Sequence, residues 1–256
     1  MPISTLTYAI GDVHGRADLL RPLIDFIATD AAERGREPRV FFLGDIVDRG
    51  PDSRGALDLV AATLRRWPRS RLVLGNHDDA FLHAMTADPP DADTVAVWLD
   101  NGGDRTLLGY AEGGDLAAAR AVFGRDCAEQ ARLLRAASLI EVDGRYAFVH
   151  AGIDPARPVD RQERRDCLTI RRRFLDHAGP LSHVVVHGHT ITETRRPTLS
   201  ESRISIDTGA FATGRLTAAV IDPAEPDVRF AMTAAGGGTI SVGYGDATDR
   251  RDVEHR

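Results

Sequence analysis

Nine residues that could do chemistry stand just beyond short apolar runs. Asp12 and His14 lie in GDVHG (11–15), Asp45, Asp48 and Arg49 in GDIVDRG (44–50), and Asn76 and His77 in GNHDD (75–79). His150 opens HAG and His189 lies in HGHT. Imidazole, carboxylate and amide oxygen together make a donor set for borderline divalent ions such as Mn²⁺, Fe²⁺ or Zn²⁺, whereas oxygen alone would suit Mg²⁺ or Ca²⁺. Asp12, His14, Asp45, Asn76, His150 and His189 are too many ligands for one ion. They suffice for two if a carboxylate bridges them, as in hydrolytic two-metal sites with ions roughly 3.5–4 Å apart. Asp45, in the middle motif, is the natural bridge.

These residues need elements that bring them to one place. Leu6–Ile10, Arg39–Leu43, Arg71–Leu74, Tyr146–Val149 and His183–Val186 are short, apolar and rich in β-branched or aromatic residues, and read as buried strands. Ala17–Arg34 and Arg54–Arg66 carry apolar residues at helical spacing. The alternation is that of βαβ units in an α/β fold, where ligands bind beyond the carboxyl ends of the strands. Asp12 and Asp45 are 33 positions apart and Asp45 and Asn76 are 31 apart, each the length of a strand, a crossover helix and the next strand. Residues 79–139 show no strand-like run and are broken by ADPPDAD and EGGD, which predicts a helical insertion beside the site. Trp98 and Phe123 within it read as core. Arg203–Ile206 and Leu216–Ile221 read as strands of a second sheet, and residues 226–256 as a polar, glycine-rich tail. The remainder, 1–225, reads as a single domain.

Composition removes several alternatives. The chain has 256 residues, 43% hydrophobic and 27% charged, the mixture of a globular protein. All 32 of its Lys+Arg cations are arginine, so P-loop NTPases, protein kinases and Schiff-base enzymes, which rely on a lysine, are excluded in their usual form. A formal charge of −6 speaks against a nucleic-acid partner. Cys127 and Cys167 form no metal-binding pair and read as reduced. No apolar run approaches the ~18 residues of a membrane span, so the expectation is a cytoplasmic protein without a membrane partner.

The motifs GDVHG, GDIVDRG and GNHD followed by two isolated histidines resemble those of the metallophosphoesterases. Within them they resemble the phosphoprotein phosphatase branch, and its bacterial and bacteriophage lambda-type Ser/Thr phosphatases above all. The resemblance covers most of residues 7–190 and implies a four-layer αββα sandwich of two mixed sheets with helices on both outer faces. It implies that Asp12, His14 and Asp45 hold one divalent ion and Asp45, Asn76, His150 and His189 a second, with Mn²⁺ ahead of Fe and Zn²⁺. A metal-bridging hydroxide would attack phosphorus in line. His77, oriented by Asp48, would protonate the leaving group, while Arg49 and Asn76 would bind the phosphate. A second phosphate arginine is matched to Arg171, with Arg172 and Arg173 as alternatives, although Thr169 stands where the bacterial pattern has tryptophan. The function implied is a Ser/Thr protein phosphatase, with Tyr as a further target and a phosphoprotein or phosphopeptide as partner. The nearest alternative is a symmetrical diadenosine tetraphosphate hydrolase. A nuclease ranks below, given the acidic balance and Ile191 in place of the second histidine that a GHxH motif carries, and so does an inactive metal-binding scaffold, because the ligands, the acid pair and Arg49 are intact.

Overall fold

A computed structural model of the chain describes residues 5–236 and 238–249. Three strands, β1 (Thr7–Ile10), β2 (Arg39–Phe42) and β3 (Arg71–Leu72), pair in parallel, joined by helices α1 (Ala17–Glu33) and α2 (Ser53–Arg66). Helix α1 buries Leu19, Leu20, Leu23, Ile24, Ile27 and Ala31, the i, i+4 stripe that its sequence predicts. Helix α2 starts where the Asp52 carboxylate accepts the Gly55 N–H at 2.7 Å, and it ends with Arg65 and Arg66 at its negative pole, just before Pro68.

Strand β3 is shorter than its apolar run. Val73 N–H still donates to Phe42 O of β2 at 2.8 Å, while on the other side the backbone bonds to Ser138: Leu74 N–H donates to Ser138 O at 2.8 Å and Ser138 N–H to Leu72 O at 3.1 Å. Between these points lie α3 (Asn76–Thr86), α4 (Ala92–Trp98), α5 (Asp104–Leu108), α6 (Leu116–Asp126) and α7 (Ala128–Arg135), a helical stretch in the place the sequence predicts one.

The second sheet begins with β4 (Ile140–Asp143) and β5 (Tyr146–Val149), followed by the short helices α8 (Arg164–Thr169) and α9 (Arg172–Leu175). It continues through β6 (Val184–His187), β7 (Thr198–Leu199) and β8 (Arg203–Ser205), and β5, β6 and β8 run parallel. After a single helical turn, α10 (Ala210–Thr213), the chain returns as β9 (Thr217–Ile221), then β10 (Arg229–Gly236), β11 (Thr239–Gly245) and β12 (Thr248–Asp249). The sheets are ordered β11-β10-β9-β1-β2-β3 and β12-β7-β8-β6-β5-β4.

One strand lies in a different sheet from the one expected. Leu216–Ile221 supplies β9, which pairs antiparallel with β1 in the first sheet, with Ala9 opposite Ala219. All five residues of β9 are buried, so the strand needs cover on both faces, and the position beside β1 provides it. Beyond residue 225, β10 and β11 extend the same sheet, while positions 250–256 lie outside the described residues.

Alternation along the strands creates the layers. Tyr8, Ile10, Val40 and Phe42 face α1, α2 and the inserted helices, whereas Ala9, Phe41, Leu43, Phe148, Val186 and Ile204 fill the space between the sheets. There Phe41 stacks on Phe148 with ring centroids 4.2 Å apart. Val149 and Val185 face outward onto Cys167, Ile170 and Phe174 near α8 and α9. The order is therefore helix, sheet, sheet, helix, the sandwich expected from the motifs. The carboxyl ends of β1, β2 and β3 lie along one sheet edge, and the loops after β5, β6 and β8 meet them there.

Candidate active site

All nine motif residues are brought together at this edge. The Asp45 carboxylate stands at the middle. His150 Nε2 is 3.4 Å from its Oδ1, while His14 Nε2 and His77 Nε2 are 3.7 and 4.0 Å from its Oδ2. Ligand atoms of Asp45, His150 and His189 lie within 4.8 Å of one another, as do those of His14, Asp45 and His77. Asn76 Oδ1 is 3.0 Å from His150 Nε2. Asp12 belongs to neither three-residue group; its two carboxylate oxygens accept the His189 N–H at 3.1 Å.

Local backbone geometry aims these side chains. Six non-glycine residues among those described have positive φ, and five are His14, Asp45, Asp48, Arg49 and His189. Such strain persists only where the surroundings impose it, and it gathers at functional sites. His189 needs Gly188 before it, because a Cβ there would collide with the Asp12 carboxylate. The imidazoles of His14 and His150 each direct Nδ1 to a backbone carbonyl, Val47 O at 2.9 Å and Leu43 O at 2.7 Å, which leaves Nε2 facing inward.

The electrostatics are those of a cation site. Burial, joined by the neighbouring Asp207, pushes Asp12 well above the usual carboxylate range. Burial and the Asp45 charge raise Asp78 to about 7. Asp45 itself is held well below that range, because the imidazoles of His150, His77 and His14 outweigh its burial. His150 is buried too, but the carboxylates of Asp45 and Asp12 raise it to about 10. Burial lowers His14 and His189 to about 3, and the neutral imidazole is the form that binds metal. His189 Nε2 is buried without a hydrogen-bond partner. A crowd of buried carboxylates, inward-facing imidazole nitrogens and an orphaned His189 Nε2 fits divalent metal binding.

Beside this cluster, His77 Nδ1 donates to Asp48 Oδ2 at 2.7 Å. Burial disfavours a charged His77, yet the carboxylates of Asp45 and Asp48 outweigh it and raise the pKa. Arg49 lays its fork on two imidazoles, donating to His14 Nε2 at 2.8 Å and His77 Nε2 at 3.0 Å. Arg171 lies at the margin, with Nη1 3.4 Å from Thr190 Oγ1, next to His189. Arg173 is committed elsewhere, to Asp166 at 2.6 Å and Asp154 at 3.6 Å.

Four supporting residues escaped the sequence reading. Trp98, expected only in the core, is buried and also donates its indole N–H to Asp48 Oδ2 at 2.9 Å. Thr106 donates to Asp48 Oδ1 at 2.7 Å. Asp78 accepts the N–H groups of Ile46 and Gly75 at 2.9 and 3.2 Å, bracing the loop that carries Asp45. Phe211 sets its ring edge-on to His14, with centroids 5.4 Å apart, and beneath the Arg49 guanidinium at 4.9 Å. Thr106 and Phe211 lie in NGGDRTL and DTGAFATG, stretches that follow no strand end of the acidic motifs and so carry no signal from their spacing.

Comparison with known proteins defines the class. The family model for calcineurin-like phosphoesterases matches residues 6–204, and the chain belongs to this family of metal-dependent phosphoester hydrolases. Among curated proteins, the symmetrical bis(5'-nucleosyl)-tetraphosphatase of Dechloromonas aromatica (strain RCB) is 34% identical over 149 residues, 58% of this chain and 44% of that protein. The one from Chromohalobacter salexigens is 30% identical over 204 residues, covering 71% of this chain and 72% of that protein. The chain thus spans less than half the length of the first of these relatives. A solved structure of a proposed diadenosine tetraphosphatase shares the fold with a TM-score of 0.59 at 22% identity, covering 97% of each chain. These findings correct the expected partner: the curated relatives are tetraphosphatases of dinucleosides, not enzymes of phosphoproteins or phosphopeptides. The family assignment stands at the level of the superfamily, and the protein phosphatase branch is not the one the relatives name. Among the described residues no helix is long and apolar enough to cross a membrane.

Proposed function

We propose that this chain is a symmetrical dinucleoside tetraphosphate hydrolase, using two divalent ions to cut the central phosphoanhydride into two nucleoside diphosphates. The observation that carries the chemistry is Asp45, one carboxylate reached by two separate groups of imidazoles. The substrate is carried by the two tetraphosphatases at 34% and 30% identity.

In this reading Asp12, His14 and Asp45 hold one ion, and Asp45, Asn76, His150 and His189 the other. Bound there, the ions lower the pKa of water toward ~7 and neutralise charge on the phosphate. The imidazole and carboxylate donors accept Mn²⁺, Fe or Zn²⁺, with availability deciding which is bound, and Mn²⁺ is put first on the resemblance. The protein's own residues do the rest. Asp48 accepts the His77 Nδ1 proton and favours the imidazolium, whose Nε2–H would pass its proton to the departing oxygen as its bond to phosphorus breaks, once Arg49 turns from Nε2 to the phosphate. Arg49 offers a planar fork to two phosphate oxygens, and Arg171 is the second phosphate arginine at the margin. Trp98 and Thr106 keep the Asp48 carboxylate in the plane His77 needs.

The test is hydrolysis of diadenosine tetraphosphate by the Mn²⁺-loaded chain with product analysis. ADP as the sole nucleotide product supports the reading. AMP with ATP, or no turnover while an aryl phosphate is cleaved, rejects it.

A further inference from the structure

Outside the motif residues, the one other non-glycine residue with positive φ among those described is Arg195, at φ 55°. Its turn is pinned from several sides: Arg195 N–H donates to Thr192 O at 3.0 Å, and Thr192 Oγ1 donates to Arg196 O at 2.7 Å. Arg215 Nη1 donates to Arg195 O at 2.7 Å. Thr192 N–H in turn donates to the backbone oxygen of Asp207, the buried acid beside Asp12, at 3.0 Å. The Arg195 guanidinium reaches back over the loop that carries Phe211, and a Cβ on Gly209 would meet its Nη1 at 3.3 Å.

A strained, hydrogen-bonded turn thus holds the exposed Arg195 with its guanidinium against Gly209, two residues before the Phe211 ring that packs on His14 and Arg49. Among the described residues no carboxylate lies within 4.0 Å of the charged nitrogens of Arg49, Arg171, Arg195 or Arg215. Arg49 reaches His14 and His77, Arg171 reaches Thr190 beside His189, and Arg195 reaches Gly209 in the loop of Phe211, so guanidiniums without acidic partners come from the loops that carry the cluster and match an anion longer than one phosphate. A guanidinium can take two oxygens of such an anion at once.

We infer that Arg195, backed by Arg215, forms a second phosphate subsite that holds the part of a polyphosphate chain beyond the phosphate under attack. The inference rests on the tetraphosphate reading for its natural ligand, but its geometry serves any linear polyphosphate. Strain at Arg195 is then the means by which a surface arginine is fixed in one direction.

The test compares inorganic tripolyphosphate with orthophosphate by calorimetric titration of the metal-loaded full chain, with free Mn²⁺ held above the ligand concentration. The wild type binds tripolyphosphate at least about tenfold more tightly, the size of one charge-assisted contact. Arg195→Asn, chosen because asparagine tolerates the left-handed backbone, brings the ratio near one. Arg196→Asn removes the same charge one residue away and keeps the ratio. A ratio unchanged in R195N, or lost equally in R196N, overturns the subsite. With diadenosine tetraphosphate, R195N raises KM about tenfold at nearly constant kcat, and a fall in kcat at constant KM also overturns it. If the wild type leaves the dinucleotide uncut while the tripolyphosphate ratio still collapses in R195N, the proposed substrate fails and the subsite stands.

Discussion

Replacing His77 with asparagine separates two roles that the geometry gives this side chain. Its Nε2 lies 4.0 Å from Asp45 Oδ2, in one of the two groups able to hold metal, while its Nδ1 is fixed to Asp48 at 2.7 Å as in an acid pair. If His77 is the general acid, its removal costs according to the basicity of the leaving oxygen. An alkoxide, near the ~15.7 of bulk water, needs the proton fully. A nucleoside diphosphate leaves through an oxygen whose pKa is about 6 and needs it little. General acid catalysis contributes roughly 10²–10⁴. At about 1.36 kcal/mol per decade that is about 3–5 kcal/mol of barrier for an alkyl phosphate. For the dinucleotide about one decade is expected. The assay is kcat/KM for diadenosine tetraphosphate, an aryl phosphate and an alkyl phosphate on H77N and wild type, with metal content measured on the same samples. Equal losses on all three substrates would refute the acid role, and loss of one equivalent of metal would make His77 a ligand instead.

Other substitutions read other parts of the molecule. Asp45→Asn removes the carboxylate common to both imidazole groups, so atomic emission should find both ions lost rather than one. Trp98→Phe keeps the packing on Phe81 but deletes the indole bond to Asp48; a hydrogen bond to a charge is worth about 1.5–3 kcal/mol, so kcat should fall about tenfold or more while metal content stays. Arg34 joins Asp30, Asp222 and Glu225 at 2.7–3.1 Å, tying α1 to the loop between β9 and β10. Arg34→Ala leaves Asp222 with only Arg36 and the Ala224 N–H, and at about 1.5 kcal/mol for the lost charged hydrogen bond the melting temperature should drop by about 3–6 °C. Burial opposes the Asp222 charge, but the Ala224 N–H and the guanidiniums of Arg34 and Arg36 outweigh it and depress its pKa. Its stabilisation is therefore complete above the unfolded value of about 3.9 and disappears as pH falls through the lower folded value. Acid melts of R34A and wild type should converge below that range, and a constant gap between them would reject the linkage.

Which parts of this molecule could be read from its residues follows from where each constraint is written. Strands β1, β2, β5 and β6 are both apolar and buried on two faces, so a short run of β-branched and aromatic residues marks each of them without ambiguity. Spacing between the acidic motifs then sets the crossover length, which is why the motif residues come together at one sheet edge. Sheet membership is a different matter. Strand β9 is as apolar as β8, and nothing local says that one joins β1 and the other β6; the choice depends on which position still lacks a neighbour. The polar composition after residue 225 hid β10 and β11 for a related reason, since most of β11 faces solvent on this outer strand and carries little apolar signal.

The site repeats this division at a finer scale. Residues of the His/Asp cluster lie within a few positions of a strand end, and their chemistry announces them. Residues that hold those side chains come from distant parts of the chain, as Trp98 and Thr106 do for Asp48, separated from it by 50 and 58 positions. Their types are ordinary for a buried helix, so a pattern of spacing cannot separate an indole that packs from one that also donates. Backbone strain is still less visible: His14, Asp45, Asp48, Arg49 and His189 hold φ values that their side chains disfavour, and only the assembled loops impose them. Catalytic precision in this fold is consequently a property of the supports. The substitution that tests this is Trp98→Phe, because it changes none of the residues proposed to hold metal or phosphate. If its kcat matched the wild type, the orientation of Asp48 would depend on Thr106 and the His77 bond alone, and α4 would serve the fold without serving the reaction.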